Sequence, residues 1–193
     1  MSSLPQTFIT PEEYLASERK TPFKSEYADG EVFAMSGTSW EHVQIVRNLS
    51  RRLDEQLESG PCQVGTSEMR VRAQRGGPYY YPDVVVVCGE PRFEDNEFDT
   101  LLNPKVIFEI LSPSTESYDR GKKLEMYREI ESLAEYVLIR QDRVGVEHYV
   151  LQSGGHWDFS ETKDPGGLVE LPSIGVRLKV ADIYRLVKFE GTT

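Results

Sequence analysis

Cysteine, positive charge and long apolar runs are all scarce in this sequence, and each scarcity removes a class of protein. There are two cysteines, Cys62 and Cys88. Neither has the close Cys or His neighbours of a zinc site, so both are expected to be buried, reduced thiols. Lys and Arg number 22 against 32 Asp and Glu, a formal net charge of −10. That balance argues against a general nucleic-acid binder, because affinity for phosphates comes mainly from clustered Lys and Arg. The longest apolar runs, Val84 to Cys88 and Val106 to Phe108, fall far short of the roughly 20 residues that cross a bilayer, so no membrane span is expected. The opening Met1-Ser2-Ser3-Leu4-Pro5 has neither the basic nor the apolar region of a secretory signal, which makes the cytoplasm the expected location.

What remains is an ordinary globular composition, 38% hydrophobic, 28% charged and 10% aromatic over 193 residues. That length matches one domain with enough chain to bury a core around a central sheet. Thr10-Pro11-Glu12-Glu13 carries a capping hydroxyl, a proline at the first helical position and a glutamate at the third, which predicts a short helix to about Glu18. Asp29-Gly30 inside Tyr27 to Glu31 predicts a tight hairpin. Ser39 is placed to cap a long helix in which His42, Val46, Leu49, Leu53 and Leu57 recur at helical spacing, ended by Gly60-Pro61. Strands are predicted over 62–67, 69–74, 79–88 and 105–111, and then over 135–140, 144–151 and 156–160. Residues 89–104 read as a solvated acidic loop. Ser114 or Thr115 is expected to start a helix to about Ile130, and a last helix is expected in Val180 to Val187. The sum is an α/β (α+β) fold with a mixed central sheet flanked by helices and extra β-hairpins toward the C-terminus.

Two carboxylates break this pattern. Glu109 interrupts Val106-Ile107-Phe108-Glu109-Ile110-Leu111, a run that otherwise reads as a central buried strand, and a buried carboxylate is costly unless paired, hydrogen-bonded or ligated. Asp83 stands after Pro82 at the entrance to the Val84–Cys88 strand. Aspartate at a strand start is also common turn chemistry. Two acids on neighbouring strands could hold a Mg²⁺ ion that keeps several waters and takes a substrate phosphate oxygen, an arrangement suited to phosphodiester chemistry.

Pro82-Asp83, followed 26 positions later by Glu109 in an apolar strand, resembles the PD-(D/E)XK nuclease signature. More closely, the chain resembles the Uma-two family of restriction-endonuclease-like proteins. The matching residues are Tyr27-x-Asp29-Gly30-Glu31, His42, Tyr81-Pro82-Asp83, Glu109-x-Leu111-Ser112-Pro113-Ser114, Asp119-x-x-x-Lys123-x-x-x-Tyr127 and Glu135-Tyr136-Val137. They span about residues 8–187 of a chain expected to form a single domain over 1–193. The resemblance implies a metal-dependent endonuclease acting on nucleic acid, with DNA the expected substrate, Mg or Mn as cofactor, Asp83 and Glu109 as metal ligands, and a homodimer.

One position departs from the signature. Strand alternation puts residue 111 on the face of Glu109, where the motif has its lysine, and this chain has Leu111. The family pattern offers Lys123 instead, with Lys122 a weaker rival. Asp119, Lys123 and Tyr127 are four residues apart and share a helix face, so Lys123 could turn toward the acids; the same spacing also suits a plain surface ion pair. Glu31 and His42 are accessory candidates through the resemblance, and a histidine on an apolar helix face is otherwise a core or capping residue. Clusters at Arg47/Arg51/Arg52, Arg70/Arg72/Arg75 and Arg120/Lys122/Lys123/Arg128 would give weak, salt-dependent DNA binding despite the net charge. The competing expectation is a nuclease-like scaffold without catalysis that serves as a protein-interaction or regulatory module.

Overall fold

A computed structural model describes residues 8–35 and 37–189. The first helix, α1 (Pro11–Glu18), starts where Thr10 accepts the backbone N–H of Glu13 while the Glu13 carboxylate accepts that of Thr10, a reciprocal cap that satisfies two otherwise orphaned donors. The hairpin follows as β1 (Ser25–Ala28) and β2 (Glu31–Ala34). Asp29 and Gly30 turn it with φ of 52° and 83°, the left-handed pair that a two-residue hairpin needs. Helix α2 (Trp40–Leu57) is capped by the Ser39 hydroxyl, which accepts the His42 N–H.

The remaining elements are β3 (Cys62–Thr66), β4 (Arg70–Arg72), β5 (Tyr79–Tyr80), β6 (Val84–Cys88), β7 (Thr100–Leu101) and β8 (Val106–Leu111). After them come α3 (Glu116–Tyr118), a π-helical turn (Asp119–Lys123), α4 (Leu124–Tyr127), β9 (Glu135–Arg140), β10 (Val146–Leu151), β11 (Trp157–Thr162), β12 (Leu168–Leu171), β13 (Val176–Lys179) and α5 (Val180–Ile183). One mixed sheet has the order β2-β1-β5-β4-β7 and a second, six-stranded, has β11-β10-β9-β8-β6-β3, while β12 and β13 form a hairpin. The crossover through α3 and α4 joins β8 to its parallel neighbour β9, as parallel pairing requires.

The six-stranded sheet is covered on both faces, which explains why its central strands read as unbroken apolar runs. Val84, Val86, Val106, Phe108 and Ile110 pack toward α2, the β12–β13 hairpin and α5. Val85, Val87, Ile107 and Leu111 pack toward β4, β5 and α4.

Several expectations need correction. Residues 79–88 form two strands, with β5 in the first sheet and β6 in the second, because Pro82 cannot donate to a ladder and the chain changes sheets there. The acidic loop 89–104 contains β7, which pairs in parallel with β4, and Arg19, just after α1, holds its Asp95 and Asp99. The helix expected to run to about Ile130 is interrupted by the π turn, and Thr115 makes no capping hydrogen bond with its side chain. The cysteines are not free thiols. Cys62 and Cys88 stand directly opposite each other in the β3–β6 register and are disulfide-bonded, since cross-strand partners bring their Cβ atoms within bonding reach. No helix among the described residues is long and apolar enough to cross a membrane.

Candidate active site

In β8 the residues alternate between two cores, so Glu109 shares the face of Ile107 and Leu111, toward α4. It is 3% exposed. A carboxylate in that position needs partners, and it has two: Lys123 Nζ and Tyr127 Oη each donate to Glu109 Oε1 at 3.1 Å. The helical segment after β8 supplies both. Its π turn directs Asp119 and Lys123 inward, where they are 2% and 6% exposed, and Tyr127 follows from α4. π segments of this kind recur at functional sites.

Lys123 is shared among several acids. Its ammonium lies 2.9 Å from Glu26 Oε1 and 3.6 Å from Asp119 Oδ1, with the Tyr80 ring centroid 5.4 Å away. Lys122 points outward and pairs with Asp29, so the two adjacent lysines have opposite surroundings and Lys123 is the one at the acids. Leu111 is buried in the apolar core.

Asp83 reaches the same level by sheet register. Val84 pairs with Phe108 and Val85 with Ile107, so one further step places Asp83 beside Glu109. Its Oδ2 accepts the backbone N–H of Ile110 at 2.7 Å, and its Oδ1 lies 2.9 Å from His42 Nε2. His42 sits in the first turn of α2 because Ser39 caps it there. An open groove of about 750 Å³ along α2 borders the site through His42 and carries both Arg47 and Arg51 and the acids Asp54, Glu55 and Glu58.

Glu31 stands in β2 opposite Ala28, and its charge acts on Lys122. The hairpin acid that enters the buried cluster is Glu26, which accepts the Tyr81 N–H at 3.0 Å in addition to meeting Lys123. Sequence reasoning missed it, since an acid three residues before an Asp-Gly turn looks solvated. Its strand pairs beside β5 in the same sheet, and the available signal was the strand Ser25–Ala28 that leads directly into the turn.

The cluster holds more acids than cations, and its electrostatics follow. Burial pushes the Glu109 carboxyl well above the ordinary carboxylate range; the Lys123 charge opposes this, and Asp119, Asp83 and Glu26 reinforce it. Asp119 is raised for the same first reason, again against Lys123. Burial alone would favour a neutral Lys123, but the charges of Glu109, Glu26 and Asp119 outweigh it and hold the ammonium well above its usual range. Burial and the Glu109 charge push Tyr127 far up as well. Lys123 and Tyr127 therefore both stay protonated as donors.

The carboxylate oxygens of Asp83 and Glu109, on adjacent strands, are of the chemistry that suits a hard divalent cation. Asp119 Oδ1 is also buried with no hydrogen-bond partner. Among the described residues no three His, Cys, Asp or Glu side chains converge into a ready cage. Two carboxylates with water completing the shell are what an ion such as Mg²⁺ uses.

The Uma2 family, described as "Putative restriction endonuclease", matches residues 11–181. An uncharacterized protein of Synechocystis sp. is 35% identical over 187 residues, covering 97% of each chain. A second from the same organism is 35% identical over 162 residues, covering 84% of this chain and 92% of the relative. A crystal structure of a "putative nuclease belonging to DUF820" from Anabaena variabilis superposes with a TM-score of 0.76 at 20% identity, covering 93% of this chain and 99% of the other, which shows a shared fold. Because the family match spans residues 11–181 of 193, the chain belongs to the Uma2 family.

Proposed function

We propose that this protein is a Mg²⁺- or Mn²⁺-dependent endonuclease that hydrolyses phosphodiester bonds in nucleic acid, with DNA as the substrate. The observation that supports this most is the 3.1 Å contact between Lys123 Nζ and Glu109 Oε1. It brings a cation from the helix to the acid whose own strand has Leu111 where the lysine would stand. In this reading Asp83 and Glu109 are the metal ligands. A bound metal would lower the pKa of its water and stabilise charge on the scissile phosphate.

The chain's own groups do the rest. His42 and the Ile110 N–H fix the Asp83 carboxylate, as partners behind a metal ligand commonly do. Tyr127 fixes Glu109. Lys123 orients the attacking water or donates to the phosphate oxygen where charge develops.

Nucleic-acid affinity is modest in this account. Arg51 and Arg52 pair with Glu55, Arg72 with Glu94, and Arg120 with Glu147 and Glu116, so the clusters expected to offset the net charge are largely neutralised within the fold. A homodimer, which would present two sites to a duplex, is part of the same proposal. Incubating the protein with supercoiled plasmid and Mg²⁺ or Mn²⁺ beside an Asp83→Ala control tests the activity. Nicking by the native protein alone is expected, and absence of nicking in both refutes the proposal.

The pairing of the surface cations also favours a second reading, a nuclease-like scaffold with no catalysis. Calorimetric titration separates the two, since a scaffold has no reason to bind Mn²⁺ in a manner that Glu109→Gln abolishes.

A further inference from the structure

Three buried acids, Glu26, Glu109 and Asp119, surround one ammonium, that of Lys123. Each has an additional donor, the Tyr81 N–H for Glu26, the Tyr127 hydroxyl for Glu109 and the Thr115 side chain for Asp119. Asp119 still differs in one oxygen. Its Oδ1 is buried with no hydrogen-bond partner, and Lys123 Nζ stands off at 3.6 Å, beyond hydrogen-bond range. A buried carboxylate oxygen with no hydrogen bond is costly, and this one shares a single monovalent charge with two other acids.

Resting on the endonuclease reading above, we propose that Lys123 is the resident counter-ion of this cluster and that a divalent cation held by Asp83 and Glu109 binds in competition with it for Glu109, leaving the ammonium to Glu26 and Asp119. Lys123 then releases Glu109 when the site is loaded and keeps Glu26, the acid nearest to it. Two consequences follow. The native site binds metal more weakly than its acids alone would allow, because the ammonium already screens them. The lysine also becomes available to a phosphate only in the loaded state, which couples cofactor binding to readiness for chemistry.

The test is calorimetric titration of MgCl₂ and MnCl₂ into the full-length native protein and Lys123→Met, without nucleic acid. Lys123→Met is expected to bind Mn²⁺ at least about tenfold more tightly than the native protein, because a positive charge a few ångströms from the cation is removed. Equal or weaker binding overturns the counter-ion role. Should Lys123→Met fail to fold, the native protein decides the question: the ¹⁵N signal of the Lys123 ammonium, assigned by its loss in Lys123→Arg, is expected to shift on Mg²⁺ saturation, and an unchanged signal refutes the competition. Metal binding that is the same in both proteins removes this inference alone. Absence of binding in both removes the endonuclease reading with it.

Discussion

Glu109 and Lys123 meet where neither could stay charged alone, and breaking a buried pair of this kind by removing one partner costs about 3–5 kcal/mol. The acids around them also make stability depend on pH. Burial and mutual repulsion hold the Glu109 and Asp119 carboxyls above their ordinary values, so each binds a proton more readily folded than unfolded. Their contribution to stability is present below the unfolded carboxylate pKa and is lost as pH rises through the raised folded values. Asp119→Asn stays neutral throughout. Thermal melts of the metal-free variant should fall less between about pH 5 and about pH 9 than those of the native protein, and equal slopes would count against the raised carboxyls. His42 acts one contact away through Asp83. Replacing it with alanine should weaken Mn²⁺ binding about tenfold by calorimetry, while unchanged affinity would reduce His42 to a packing residue. Glu109 was legible in the sequence because a charge interrupts an apolar strand. Glu26 was not, because it is met by the Tyr81 N–H, from the link between β5 and β6 more than 50 residues away.

The lysine comes from a helical segment because the strand has no room for one. Leu111 is 3% exposed among Val85, Ile107 and Leu138, and a lysine there would bury an unpaired charge. Leu111→Lys should lower stability by on the order of 4 kcal/mol in urea unfolding and should not restore cleavage to Lys123→Met; a restored rate would show that the strand position can serve after all. At this scale the sequence signals were uneven. The Thr10 and Ser39 caps and the Asp29-Gly30 turn appear where local chemistry predicts them, since each depends on neighbours in the chain. The sheet change at Pro82 and the pairing of Cys62 with Cys88 depend on which strands become neighbours. In the structure one strand begins and the other ends on cysteine, so antiparallel pairing sets the two opposite each other, but the predicted strands 62–67 and 79–88 have unequal lengths and do not show it. The π turn left no comparable signal, and the helical spacing of Asp119, Lys123 and Tyr127 would have been satisfied by a regular helix.

For the whole molecule, a net charge of −10 and the internal pairing of its arginines leave a limited positive surface for a phosphate backbone. Binding of a labelled duplex, followed by fluorescence anisotropy, should be weak and should fall at least about tenfold between roughly 50 and 200 mM salt, because what affinity exists comes from displaced counter-ions. Salt-independent binding would point to a surface of another kind. The two-sided core legible in the Val84–Cys88 and Val106–Leu111 runs fixes β6 and β8 side by side, and that adjacency brings Asp83 to Glu109 from 26 positions away. Lys123 completes the arrangement, so the rate of plasmid nicking by Lys123→Met at saturating Mn²⁺ tests it most directly. A loss of at least about 100-fold relative to the native protein is predicted, and a rate equal to the native one would contradict the account.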